Sequence, residues 1–228
     1  MPKNNSLTVR LDDLMEYEPI TINQQTAFEA WDEGDNLVLT GSAGTGKTFI
    51  AMFMALEELL DPDNYYRKII VIRSAVPTRD MGFLPGTAEE KKQMYTLPYK
   101  NICSELFNDK TSWSKMVTAG QIQFESTSFI RGSTFDDSII IVDEMQNLNF
   151  HELDSVITRV GRNSKIIFCG DYRQTDFRFD DEKEGIFKFM KIMEQMKDFS
   201  MINFGWDDIV RSGLVRDYIM TKEMLEID

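Results

Sequence analysis

"VLTGSAGTGKTFIAMFMALEEL", residues 38–59, sets three glycines, a lysine and a threonine between a short apolar run and a helix-like run. Gly41, Gly46, Lys47 and Thr48 fit the spacing G-x-x-x-x-G-K-[ST], with Ser42, Ala43, Gly44 and Thr45 between them. Residues 37–40 read as a buried strand and 47–60 as a helix, so the glycines fall at a strand-to-helix turn. Such a turn lets successive backbone N–H groups converge on a phosphate chain, and the helix N-terminus adds positive partial charge at the same point. A lysine at position 47 suits the β- and γ-phosphates, and the Thr48 hydroxyl suits Mg²⁺. The rival reading is a tight turn without a ligand; the strand before it and the helix after it favour a triphosphate loop at residues 41–48.

A phosphate loop does not say what becomes of the nucleotide. "SIIIVDEMQN", residues 138–147, supplies a second part. Four apolar residues form a buried strand, and two acids appear as it leaves the sheet, where ligands of parallel sheets bind. Asp143 is expected to serve Mg²⁺ and Glu144 to activate an attacking water. A water-activating carboxylate separates hydrolases from small-molecule kinases, which need none. "IIFCGDYRQTDF", residues 166–177, ends another apolar strand in Gly-Asp-x-x-Gln. Gln174 could donate to a γ-phosphate and accept from water there; a plain turn is the alternative.

Strand candidates at 37–40, 68–73, 122–125, 138–142, 165–169 and 201–204 alternate with helix candidates at 24–33, 47–60, 88–107, 151–160, 185–196 and 207–220. That alternation implies right-handed crossovers and a mostly parallel sheet covered on both faces. Ile186, Phe189, Met190, Met193 and Met196 recur at helical spacing and read as core. Residues 108–120, polar and turn-like around a lone Trp113, read as a surface loop or lid. Residues 1–20 read as an N-terminal extension and 21–228 as one domain. The longest apolar runs fall short of a membrane span and the N-terminus lacks a signal-like apolar region, which points to a cytoplasmic protein without a membrane partner. Cys103 and Cys169, far apart and without histidine partners, suggest reduced thiols. The net charge is −13, yet residues 67–115 hold nine Lys/Arg against five Asp/Glu. Attraction to duplex nucleic acid is therefore disfavoured overall, while this one basic segment keeps a single-strand contact through Arg73, Arg79, Lys91 and Lys92 in play.

The order GSAGTGKT, RSAVPTRDMGFLPGTAEEKKQMYTLPY, FIRGSTFDDSIIIVDEMQN, TRVGRNSKIIFCGDYRQTDF and DDIVRSGLVRDY, over about residues 22–218, resembles the PhoH-like family of ATPases. The resemblance implies an α/β fold, a three-layer RecA-like P-loop NTPase core akin to superfamily 1 helicase motors. It also implies ATP and Mg²⁺ as ligands, and assembly in a homo-oligomer such as a hexameric ring. The chain looks like the short form frequent in bacteriophages, which would act in the host cytoplasm. On the matching positions, residues 41–48 hold the phosphates, Asp143 and Glu144 are the acidic pair, and Gln174 is the sensor. By helicase likeness Gln24, or Gln25 beside it, reads the adenine. The family usually has Arg-Pro where this chain has Arg73-Ser74, which puts strand contact in more doubt than ATP binding. The chain leaves no room for a second motor domain, so an arginine finger is expected from a neighbouring copy, with Arg131, Arg159 and Arg211 as candidates. Three outputs stay open: ATP hydrolysis coupled to single-stranded RNA or DNA, a ring-shaped helicase-type motor, and an ATP-controlled assembly switch with little turnover.

Overall fold

The computed structural model describes residues 9–74, 88–127, 130, 132–171 and 180–225, with side chains from 93 in the helix that starts at 88 and from 184 in the one that starts at 180. Six strands form one sheet in the order β3-β2-β4-β5-β1-β6: β1 (Asn36–Gly41), β2 (Lys68–Arg73), β3 (Ile122–Ser126), β4 (Ser138–Val142), β5 (Lys165–Cys169) and β6 (Phe199–Phe204). Every described pairing is parallel. The strands read as unbroken apolar runs because both faces of the sheet are covered, the usual state of a parallel sheet. Successive residues feed opposite cores. Ile69, Val71, Ile139 and Ile141 join one, and Ile70, Ile72, Ile140 and Val142 the other.

The first core is closed by α1 (Ile22–Asp32), α2 (Lys47–Leu60), α3 (Ala88–Leu106) and α4 (Ser112–Thr118). Helix α2 is buried over the continuous stretch from Ile50 to Leu56, so its apolar residues go all the way round rather than along one stripe. The second core is closed by α5 (Phe150–Ile157) and α6 (Asp180–Met193). Ile186, Phe189, Met190 and Met193 are buried there as expected, whereas Met196 lies past the helix end and is exposed. A final helix, α7 (Gly213–Met224), follows β6. This is the three-layer α/β architecture expected from the sequence.

Two local expectations are corrected. Residues 108–120 are not a loop or lid but carry α4, with Trp113 and Met116 buried. The Asp109 carboxylate organises the turn into it, accepting from the Thr111 N–H at 2.8 Å, the Thr111 hydroxyl at 2.7 Å and Lys115 at 2.9 Å. The expected helix at 207–220 is split into a 3-10 turn, Trp206–Asp208, and α7. Asp208 stops it by accepting from the Gly205 N–H and from the Asn23 side chain. The described part of the N-terminal stretch packs on the domain: Val9 is in the first core, Leu14 and Tyr17 lie against it, and the Met15 N–H donates to the Leu106 carbonyl.

Cys103 and Cys169 are buried free thiols, and burial pushes Cys103 up to about 12. Among the described residues no helix is long and apolar enough to cross a membrane.

Candidate nucleotide site

The carboxyl ends of β1, β4 and β5 converge on one cleft of about 610 Å³, within the range of small-molecule sites. In the sheet β5 lies between β1 and β4, which separates the phosphate loop from the acidic pair by two strand spacings, about 10 Å. Helix α2 closes that gap, because its second residue is Thr48. The Thr48 hydroxyl donates to Asp143 Oδ1 at 2.8 Å.

The phosphate loop is held from outside. A Cβ on Gly41 would overlap the backbone carbonyl of Phe204 on β6, so only glycine lets the loop leave the sheet there, at φ +113°. The Ser42 N–H donates to the same carbonyl at 3.1 Å. Lys47 Nζ donates to the carbonyls of Gly41 at 2.8 Å and Ser42 at 2.7 Å, and to the Thr45 hydroxyl at 3.2 Å. Burial lowers the Lys47 pKa, opposed by the charge of Asp171 and then by those of Glu144 and Asp143. Ala43, Gly44, Gly46 and Thr48 line the cleft beside it.

Asp143 is almost fully buried and its two carboxylate oxygens have different partners. Oδ1 accepts from Thr48, and Oδ2 accepts from the Tyr99 hydroxyl at 2.7 Å. Burial, and then the Asp143 charge, push the Tyr99 phenol well above its ordinary value, so it stays a donor. Glu144 follows with φ 52° and ψ 45°. A left-handed glutamate costs roughly 1–3 kcal/mol, a strain characteristic of functional turns. Burial, with Asp143 beside it, raises the Glu144 pKa against the pull of Arg73, Gln146 and Lys47. Gln146 braces this acid: Nε2 donates to Glu144 Oε2 at 2.5 Å, and Oε1 accepts from the buried Asp171 N–H at 3.1 Å.

The donors suit a small hard cation. Thr48 and Asp143 offer oxygen ligands only, and among the described residues no cluster of three or more His, Cys, Asp or Glu forms an all-protein metal cage. Mg²⁺ is commonly bound this way, through one or two protein oxygens with water and substrate phosphates completing the shell.

The other expected residues divide. Gln24 is fully buried and borders the cleft; its Oε1 accepts from Tyr17 and the Ile20 N–H, and its Nε2 donates to the Thr45 carbonyl at 3.2 Å. Gln25 faces solvent and bonds Glu29, so of the two glutamines it is Gln24 that meets the cleft. Arg211 lines the cleft of its own chain, with its Cγ packed where a Cβ on Gly44 would go, and the neighbouring Val210 N–H bonds the Gly44 carbonyl. Arg211 thus lies beside the phosphate loop of its own chain.

Arg159 is at the other end of the sheet. Its carbonyl accepts from the Phe135 N–H, ahead of the amino end of β4, whereas Asp143 follows the carboxyl end. The five residues of β4 put about 16 Å between the two ends. Arg131 and Gln174 lie outside the described residues, as does Arg79. Arg73 is half-buried at the end of β2, near the acidic pair: burial acts against its charge, but its surroundings, Tyr99, Glu144 and Asp143, raise its pKa on balance. Tyr99, Gln146 and Tyr17 were not legible as site residues. The one sequence signal for Gln146 was its place two residues after the acidic pair.

The chain is 32% identical over 202 residues to a PhoH-like protein of Mycobacterium leprae (strain TN), spanning 88% of this chain and 57% of that one. It is 38% identical over 169 residues to Protein PhoH2 of Bacillus subtilis (strain 168), spanning 72% of this chain and 38% of that one. The chain thus spans well under two thirds of the length of either relative. Among solved structures, the large terminase of a thermophilic bacteriophage has a TM-score of 0.51 at 12% identity, over 91% of this chain and 50% of that one. At that identity the likeness shows a shared fold alone. Residues 16–223 match the family described as PhoH-like protein, a span that takes in the phosphate loop, the acidic pair and every strand of the sheet, so the chain belongs to the PhoH-like family.

Proposed function

We propose that the chain is a Mg²⁺-dependent ATPase that hydrolyses the β–γ anhydride of ATP. The observation that carries this reading is the 2.8 Å bond between Thr48 and Asp143, with the strained Glu144 next to it in the same cleft. In the proposed reaction Lys47 exchanges its loop carbonyls for the β- and γ-phosphate oxygens. Thr48 and Asp143 hold Mg²⁺, which neutralises phosphate charge when bound. Glu144, whose raised pKa suits a general base, takes a proton from the water that attacks the γ-phosphorus, and the bond to the ADP oxygen breaks. Gln24, with Tyr17 and Ile20, would face the adenine. Arg211 would neutralise phosphate charge in cis, and Gln174 would sense the γ-phosphate. Arg159 or Arg131 of a neighbouring copy would complete the site in a homo-oligomer such as a ring.

An assembly switch with little turnover has no use for a braced, strained Glu144, and that residue favours hydrolysis. Coupling to single-stranded RNA or DNA rests on the basic segment alone, and it loses Arg73 to the acidic site and Lys115 to Asp109. The test is ATP turnover with and without single-stranded RNA or DNA, for wild type, Lys47→Ala and Glu144→Gln. Lys47→Ala is expected to abolish hydrolysis and weaken ATP binding strongly. Glu144→Gln should bind ATP normally and lose about 10²–10⁴ in rate, the usual worth of a general base. Wild-type turnover in Glu144→Gln would refute the assignment, and stimulation by a single strand would favour the nucleic-acid reading.

A further inference from the structure

We infer that Tyr99 is a positioning residue for the metal carboxylate: it holds Asp143 in the one orientation that serves both Thr48 and Mg²⁺. The inference rests on the ATPase reading above and names a residue outside the phosphate loop and the acidic pair. Asp143 can rotate about its side-chain bonds, and Thr48 by itself would fix one oxygen only. The Tyr99 hydroxyl, 2.7 Å from Oδ2, fixes the second. Each oxygen then keeps a lone pair for a metal or its water, because an ionised carboxylate accepts about four bonds in all.

The phenol is itself held in place. Tyr99 has no solvent exposure. Its ring stacks on Trp113 of α4, with centroids 6.1 Å apart and planes at 22°, and packs against Phe124 of β3 at 5.9 Å. Neither partner lines the nucleotide cleft, so the orientation of Asp143 is set from behind, by α3, α4 and β3. Strand β4, which delivers Asp143, pairs with β2 and β5 and not with β3. Helices α3 and α4 follow β2 in the chain and return it to β3, and the Tyr99 hydrogen bond connects them to the metal ligand. A displacement of α3 or α4 would reach the metal through it. Hydrogen bonds to metal-ligating groups are typically worth 10–100-fold in metal affinity or activity.

The test is Tyr99→Phe, which keeps the stacked ring and removes the hydroxyl. Equilibrium binding of a fluorescent non-hydrolysable ATP analogue is measured in EDTA and across a titration of free Mg²⁺. Binding in EDTA is expected to match wild type within about twofold, while the Mg²⁺ concentration for half-maximal enhancement rises about tenfold or more. A merely structural tyrosine would shift the melting temperature and leave the Mg²⁺ midpoint where it was; that result overturns the inference. So does an equal loss of affinity with and without Mg²⁺. If Tyr99→Phe fails to fold, Trp113→Phe carries the test by loosening the stack: a several-fold rise in the midpoint is expected, and an unchanged midpoint overturns the inference. Wild-type protein that binds no analogue in either condition would instead overturn the ATPase reading and this inference together.

Discussion

Gln146→Ala separates positioning of the water-activating acid from nucleotide binding. The Gln146 amide makes one bond to the Glu144 carboxylate and one to the buried Asp171 N–H. It also fills the space that a Cβ on Gly170 would need, so the three segments meet at one side chain. Truncation removes a charge-assisted bond worth about 1.5–3 kcal/mol and strands a buried donor at about 1–3 kcal/mol. The cleft is open to water, which can refill part of the space, so the net loss of stability should be at the low end, about 1–2 kcal/mol. For a chain of this length that lowers the melting temperature by roughly 2–8 °C. If the Glu144 bond is needed to aim the carboxylate, its roughly 1.5–3 kcal/mol shows in the chemical step, a fall of roughly 10–150-fold. The affinity for ATP should hardly change, because Lys47 is held by Gly41, Ser42 and Thr45 of the loop. Single-turnover hydrolysis with enzyme in excess reads the step, equilibrium binding reads the affinity, and calorimetry reads the stability. A lower melting temperature with single-turnover rate within about twofold of wild type would make Gln146 a structural residue only, and an affinity that falls in step with the rate would place it in nucleotide binding.

The positions of the arginines and of α4 can each be tested by substitution. Mixing Lys47→Ala with Arg211→Ala should restore no activity, because both groups serve the cleft of one chain; mixing Lys47→Ala with Arg159→Ala should restore up to roughly a quarter of the sites if Arg159 acts across a homo-oligomer, since a random equal mixture pairs an intact lysine with an intact neighbouring arginine that often. Recovery with Arg211→Ala, in preparations shown to exchange subunits, would place that residue in trans. Trp113→Ala should cost about 3–5 kcal/mol in chemical denaturation, the range for an aromatic core residue, where a loop residue would cost under about 0.5 kcal/mol. The same helix depends on Asp109, held down to about 2 by the Thr111 N–H and hydroxyl and by Lys115. Because that value lies below the ordinary 3.8, the stability difference between wild type and Asp109→Asn should be full above about pH 4 and vanish as pH falls through about 2; the site is open to solvent, so the difference should stay below about 1 kcal/mol. A difference unchanged at about pH 2 would count against it.

The sheet and the glycine-rich turn into α2 are legible in the sequence, because both depend on short-range chemistry. Lys68–Arg73, Ser138–Val142 and Lys165–Cys169 are strands with the bounds read from their apolar runs, and α2 runs from Lys47 to Leu60 as the loop motif and its helix dictate. A strand buried on both faces and a glycine-rich turn into a helix leave their mark within a few residues. Helix α4 did not, since seven residues are too few to show a period and its signal is an aspartate turn with Trp113 facing inward. Which side chains meet across the sheet depends on the three-dimensional fold. It brought Thr48 to Asp143 over 95 residues of chain and Tyr99 to the same carboxylate over 44. It turned Gln24 inward and Gln25 outward, though both are glutamines on the first turn of one helix. It drew Arg73 from the basic segment to the acidic pair, laid Arg211 on Gly44, and left Arg159 at the opposite end of β4. Charge counted along a chain says nothing about which charges face one another; the parallel sheet does that, by delivering distant residues to the carboxyl ends of neighbouring strands.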